Sequence, residues 1–338
     1  MRSRGPLTRG RQVRVLAWLT LAVAGAAVLG LLVGPASLNL GRALGDATSL
    51  DHTILLDLRL PRVLQGLLVG GVLAGAGAAL QGLLRNPLAD PFLLGVSGGA
   101  ALGAAAAALT GLGAVVAEPT GGFLGALGAL ALVSGLGRRE GRMQPLDVLL
   151  VGVVFNAFAG ALLMVLQAVS DAAAVQRVLL RLMGTLAADP SRPLLLPALL
   201  VATLLGAVAV LPAARRLDLL GLGDEAARGL GVDPDRTRWT LFVALSIPIG
   251  AVVAVAGMIG FVGLLVPHAV RLVLGPDHRL LLPASALSGA GFLVLADAAV
   301  RALAGPLGTE LPVGVLTATL GGPVFVWLLR RGRVRVGP

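Results

Sequence analysis

The chain has 338 residues, 57% of them hydrophobic and 13% charged, with a net charge of +10 whose basic side chains are all Arg. Soluble domains hold roughly 25% charged residues; so sparse a polar complement cannot keep a chain of this length in water, and a soluble nucleic-acid binder with a basic stripe is excluded. The absence of Cys excludes thiolate metal sites and disulfides, and the absence of Lys excludes a standard Walker A loop, whose Lys reaches the nucleotide phosphates.

Apolar runs of about twenty residues, enough to cross a hydrocarbon core of roughly 30 Å, recur along the whole length. The Arg-rich stretch Met1 to Arg14 leads into 15–34, read as a retained first helix because no small-residue cleavage site follows it. Spans follow at 63–84, 93–117 and 121–137. The last two are divided by Glu118-Pro119-Thr120-Gly121-Gly122, where Pro, Gly and a charge favour a turn at the water boundary. Further spans fall at 148–169, 193–214, 239–257, 259–273, 283–303 and 313–329. The 239–273 stretch is too long for one straight helix and too short for two full ones. Gly257, Gly260, Gly263 and Pro267 break its second half, which predicts a full helix followed by a short, tilted or partly buried one.

The sequence thus predicts an all-α polytopic membrane protein: a single transmembrane domain over 1–338, ten helices, both termini cytoplasmic, and its largest cytoplasmic loop at 215–238. Cytoplasmic loops collect Arg and Lys. With ten spans, seven of the 27 Arg fall outside: Arg42, Arg59, Arg62, Arg177, Arg181, Arg192 and Arg301. Nine spans would expose the Arg330–Arg335 tail as well. Trp18, Trp239 and Trp327 lie near the inner boundary, as aromatic anchors do. Gly70-Gly71, Gly75, Gly77 and Gly98-Gly99, Gly103 mark helices able to pack closely in lipid. Asp297 is the one acid well inside a predicted span. Arg301 lies four residues on, within reach across one turn. An ion-coupled secondary transporter needs ionisable groups at mid-bilayer, and one salt-bridged acid supports that reading poorly.

Three segments exceed what packing or turn chemistry requires. In Leu58-Arg59-Leu60-Pro61-Arg62, Pro61 suits a first helical turn. Two Arg there oppose both the helix dipole and the charge bias, so either Asp57 or an acidic partner from outside should offset them. The run Gln81 to Pro91, with Arg85-Asn86-Pro87-Leu88, forms a tight inner turn, followed by Leu94-Gly95-Val96-Ser97-Gly98-Gly99. Leu222 to Arg236 reads as two short helices. Asp224 and Glu225 suit a helix start, Arg228 its end and Gly231 its stop; Asp233 caps the next helix, with Pro234 at its first position.

With Gly260-Phe261-Val262-Gly263-Leu264-Leu265-Val266-Pro267-His268 and Glu310-Leu311-Pro312-Val313-Gly314, these segments resemble the permease family for iron-siderophore, haem and vitamin B12 uptake, of the large ten-helix class of ABC importers. The resemblance implies a multi-pass subunit of the bacterial cytoplasmic membrane, surrounded by lipid, that performs no chemistry and holds no cofactor or metal. It implies a homodimer with a central path, two copies of an ATP-binding subunit below and an extracytoplasmic substrate-binding protein above; it gives nucleic acid no role. Asp224, Glu225, Arg228, Gly231, Asp233 and Arg236 fall on the coupling helices that enter the ATPase. Arg59, Arg62 and Arg301 match positions that meet the binding protein, and Asn86, Pro87 and Leu88 the inner gate. Gln144-Pro145-Leu146 lies where a second gate is found but departs from the small hydroxylated residues expected there.

Overall fold

The computed structural model describes residues 8–109, 116–139, 142–169, 183–187 and 191–331. Arg177 and Arg181, counted above among the outer Arg, lie outside the described residues. So do Arg2 and Arg4 of the Arg-rich start and Arg333 and Arg335 of the tail.

The chain opens with α1 (Arg9–Leu32), whose first turn is capped by the Thr8 hydroxyl accepting from Arg11 N–H at 3.3 Å. A short α2 (Leu40–Gly45) precedes one long helical run. That run comprises α3 (Leu50–His52), a π-helical stretch over Thr53–Arg59, and α4 (Leu60–Leu83). The expected helix start at Pro61 is therefore displaced. Ser49 caps the run upstream, accepting from His52 N–H at 3.2 Å, and Arg59 and Arg62 sit inside continuous helix, where the dipole penalty of an N-terminus does not apply. Pro61 cannot donate an N–H, and the change to π register directly before it accommodates that gap.

Next come α5 (Val96–Leu109), α6 (Ala117–Leu136), a minimal antiparallel hairpin of β1 (Arg138–Arg139) and β2 (Arg142–Met143), and α7 (Pro145–Val169). The turn expected at Glu118–Gly122 is helical instead. Glu118 occupies the positive end of α6 and Pro119 its first turn, both favourable there. Gly121 is needed for packing: a methyl group on it would collide with the carbonyl of Gly103 on α5.

The second half holds α8 (Leu195–Val210), α9 (Ala214–Leu220), α10 (Asp224–Gly229), α11 (Pro234–Ala256), α12 (Val262–Leu274), α13 (His278–Leu307) and α14 (Val313–Arg331). Only one of the two expected short helices in 222–236 exists as such. Asp233 does accept from Asp235 and Arg236 N–H at 2.9 and 3.0 Å, but the helix it caps runs unbroken into the apolar stretch. Between α11 and α12 the backbone is non-helical over 257–261, with Gly257 at φ 71° and Phe261 at φ 68°.

Seven helical runs among the described residues are long and apolar enough to cross a membrane: α1, Leu50–Leu83, α6, Pro145–Leu166, Leu195–Leu220, α11 and His278–Ala304. Val96–Leu109, Val262–Leu274 and Val313–Trp327 are shorter apolar helices. The buried centre is α4, clasped by α13, α12 and α11. There is no room for side chains where α4 meets α13: a methyl on Gly70 would strike the carbonyl of Gly289, and one on Gly289 that of Gly70. At the periphery, α1, α7 and α8 turn apolar side chains such as Trp18, Phe158 and Val208 outward, the surface lipid would cover. The result is an all-α membrane fold.

Candidate functional site

The antiparallel α4 and α13 separate two polar clusters. The 24 residues of α4 at about 1.5 Å each put them on the order of 36 Å apart.

At one end, Arg62 and Arg301 converge on Asp297, with Arg59 beside them. Arg62 donates to both its oxygens at 2.8–3.0 Å and also pairs with Glu310, which precedes α14. Arg301 donates to Asp297 at 2.9 Å from one turn along α13, and its other nitrogens reach the carbonyls of Gly30 (2.8 Å) and Val33. Arg59 donates to the carbonyls of Leu31 (2.9 Å), Leu32 (2.8 Å) and Ala36 (2.6 Å). Helix C-termini leave their last carbonyls without partners, and those of α1 are satisfied by these two guanidinium groups. The internal acid is thus Asp297 rather than Asp57, which is exposed. Arg59 and Arg301 are 5% and 3% exposed, so they do not line an outer face in this chain; Arg62 keeps an edge at the surface beside the half-exposed Glu310. Sequence reasoning missed Glu310 as a partner of Arg62, because nothing local ties residue 310 to residue 62.

At the other end lies the turn after α4. Arg85 N–H bonds to Gly82 O at 3.3 Å and Asn86 N–H to Gln81 O at 3.1 Å, the pair that closes a Schellman motif. Arg85 holds the left-handed position, φ 49°, where Gly is usual. Asn86 Oδ1 accepts from Leu88 N–H at 2.9 Å, which folds Pro87 and Leu88 into a tight turn, and Asp90 Oδ1 accepts from Phe92 N–H at 2.8 Å. Asn156 of α7 fastens this segment, donating to Phe92 O at 2.9 Å and accepting from Gly98 N–H at 3.0 Å. An amide in the middle of the apolar run 148–169 was the sequence signal for it. Gln144-Pro145-Leu146 stands at the start of α7, with Leu146 exposed.

The same end carries the loop α9–α10. Asp224 opens α10 and accepts two hydrogen bonds from Arg238 of α11, at 2.7 and 2.8 Å, and one from Arg85 at 2.8 Å. These bonds, led by Arg238, hold the Asp224 carboxyl below the usual carboxylate range despite partial burial. Ala227 faces inward; Glu225, Arg228 and Arg236 are exposed, with Leu222 and Leu230 beside them, and Arg228 pairs with Asp235 at 3.1 Å. Gly231, at φ 80°, makes the turn that only Gly adopts freely. Asp218 of α9 accepts from His278 N–H at 3.0 Å and contacts its Nδ1 at 2.6 Å, fastening the loop to the start of α13; sequence reading gave neither residue a role.

The sequence profile of the FecCD transport family matches residues 20–331, a stretch that includes both polar ends. This chain belongs to the FecCD transport family. The FecCD chain is 45% identical over 278 residues to the cobalamin import system permease of Halobacterium salinarum, covering 82% of this chain and 73% of that one. It is 44% identical over 285 residues to the hemin transport system permease of Yersinia pestis, covering 83% and 84%. Its fold matches a solved structure described as an inward-facing conformation of a metal-chelate type ABC transporter, with a TM-score of 0.82 and 32% identity over 95% of this chain and all of that one. This FecCD protein is a membrane-spanning permease of the ABC importer class, a transport subunit rather than an enzyme.

Proposed function

We propose that this permease carries a metal chelate inward, with iron-siderophore, haem and cobalamin as the candidate cargoes, driven by a separate ATP-binding subunit that docks on the α9–α10 loop. The ten apolar segments then all span the membrane, and the Arg-rich termini lie with the docking loop in the cytoplasm. The observation that carries this reading is α10 itself. One side of this short helix is fixed to the bundle through Asp224 and Ala227. Its outer side presents Glu225 and Arg228, and Leu222, Leu230 and Arg236 in the flanking segments are exposed as well, a mix of apolar and charged side chains that a protein partner could cover. An ion-coupled carrier is disfavoured because Asp297 is engaged by two guanidinium groups and has no free carboxylate to cycle. On the opposite face, Arg62 with Glu310 is the part of the Arg cluster that a substrate-binding protein can reach, while Arg59 and Arg301 stiffen the surface beneath it.

The test is co-purification of the ATPase with a permease carrying Arg228→Glu and Arg236→Glu. Both side chains are exposed, so insertion should be normal and the ATPase should be lost or its hydrolysis uncoupled from uptake. A doubly reversed chain that assembles and transports like the parent would move the docking site elsewhere.

A further inference from the structure

Arg85 stands in a place its backbone does not favour. A left-handed residue closing a Schellman motif is normally Gly, because a Cβ crowds the carbonyl there. Strain of this kind persists where the side chain is needed. The Arg85 side chain leaves the turn and ends on Asp224, the first residue of α10, at 2.8 Å. Asp224 is itself held twice by Arg238, which is 1% exposed and rooted in α11.

The two bonds differ in kind. The Arg238 guanidinium is buried, and breaking its pair would strand a charge away from water. Arg85 and Asp224 are 37% and 30% exposed at their side chains, so that bond can open and its partners can rehydrate at little cost. One carboxylate therefore has a permanent tie to α11 and a releasable tie to the turn that holds Asn86, Pro87 and Leu88.

We propose that the Arg85–Asp224–Arg238 triad is the link by which movement of the α9–α10 loop reaches the Asn86–Leu88 turn. It rests on the reading of that loop as the ATPase docking element. Arg85 acts as a positioning residue: while bonded to Asp224 it holds the left-handed turn, and when α10 shifts the bond opens and the turn relaxes. Asp224 faces the bundle in this arrangement. Its part in coupling is thus to transmit rather than to touch the ATPase.

Arg85→Gly separates this role from a merely structural one, because Gly suits the backbone and removes only the side chain. The chain has no Cys, so a thiol introduced as Leu88→Cys, at an exposed position, is the only labelling site on this chain, read after the subunits are separated by size. Maleimide labelling of Leu88→Cys is followed in the assembled complex with and without ATP, alone and combined with Arg85→Gly or Arg85→Lys; uptake is measured in the same set. With Arg85→Gly, thermal stability and ATPase co-purification should hold, while the ATP-dependent change in labelling and the uptake rate fall about tenfold. Arg85→Lys, which keeps the charge, should recover part of both. Undiminished uptake and labelling response in Arg85→Gly would overturn the proposal. Loss of ATPase binding in that variant would overturn it too, by assigning Arg85 to the subunit interface. If Arg228→Glu with Arg236→Glu leaves ATPase binding intact, the docking reading itself has failed, and that result is independent of Arg85.

Discussion

Asp90 is a carboxyl group that folding makes harder to ionise. It lies in the turn between α4 and α5, outside the predicted spans. Burial pushes its pKa up from the ordinary 3.8 to about 6, against the pull of its bond from Phe92 N–H. Its Oδ2 is buried without a hydrogen-bond partner among the described residues. For a raised pKa, the stability contributed by the protonated form is fully present below about 3.8 and is lost as pH rises through about 6. Asn keeps the oxygen that caps Phe92 and never ionises. Asp90→Asn should therefore stabilise the chain at pH 7 to 8 by on the order of 3 kcal/mol, with the gain vanishing toward pH 4. Denaturation in detergent across that range checks it, and a gain independent of pH would mean the carboxyl is not the cause. At this scale the sequence was legible where chemistry is local: the Asp233 cap, the Gly231 stop and the Asp297–Arg301 pair all follow from spacing along one helix. Arg85 was not, because nothing in Leu84-Arg85-Asn86 says that Arg rather than Gly takes the left-handed position; its partner lies 139 residues away.

Elements were legible by their apolar runs, and their ends less so. The Glu118–Gly122 turn was misplaced because Pro and Gly serve two purposes. They punctuate loops in water, but in a membrane fold Pro opens helices and Gly lets them touch. The close α4–α13 contact tests the second use. Replacing Gly70 or Gly289 with Leu forces a side chain against the facing carbonyl, with no flexible neighbour able to yield. Overpacking of this sort costs about 1–3 kcal/mol, and more where two helix backbones must part. By contrast, nothing lies within 4 Å of a methyl added at Gly160 on the outward-facing α7, so Gly160→Ala should be neutral or slightly stabilising through helix propensity. Thermal melting of the three variants in one detergent compares them. Equal melting points would show that the small residues of α4 are not what brings it against α13.

At the scale of the whole molecule, each exception to the inside bias of Arg among the described residues has a partner. Arg42 meets Asp51 and Arg192 meets Glu118, each at 3.9 Å, while Arg62 and Arg301 meet Asp297. Arg59 is spent on α1 carbonyls. A charge rule read from sequence counts these residues as outliers because it cannot see their partners. Among its described residues the chain is closely packed at its centre. Its helices meet backbone to backbone at α4–α13 and α5–α6. The apolar cavity between α4, α8 and α13 holds about 470 Å³, near the lower end of small-molecule sites, which run roughly 300–1,000 Å³. A bulky chelate needs a wider and less adhesive route, which a surface between two copies of the chain would provide. Two-fold closure is the commonest way such a subunit completes itself. The expected assembly is a homodimer of this chain with two ATPase subunits, each α9–α10 loop engaging one. Native mass measurement of the solubilised complex should return two permease copies, and a disulfide between identical chains should form when single thiols are placed across the two-fold axis. A stable complex holding one copy of this chain beside a different permease would defeat the homodimer and shift the path to an interface between unlike subunits.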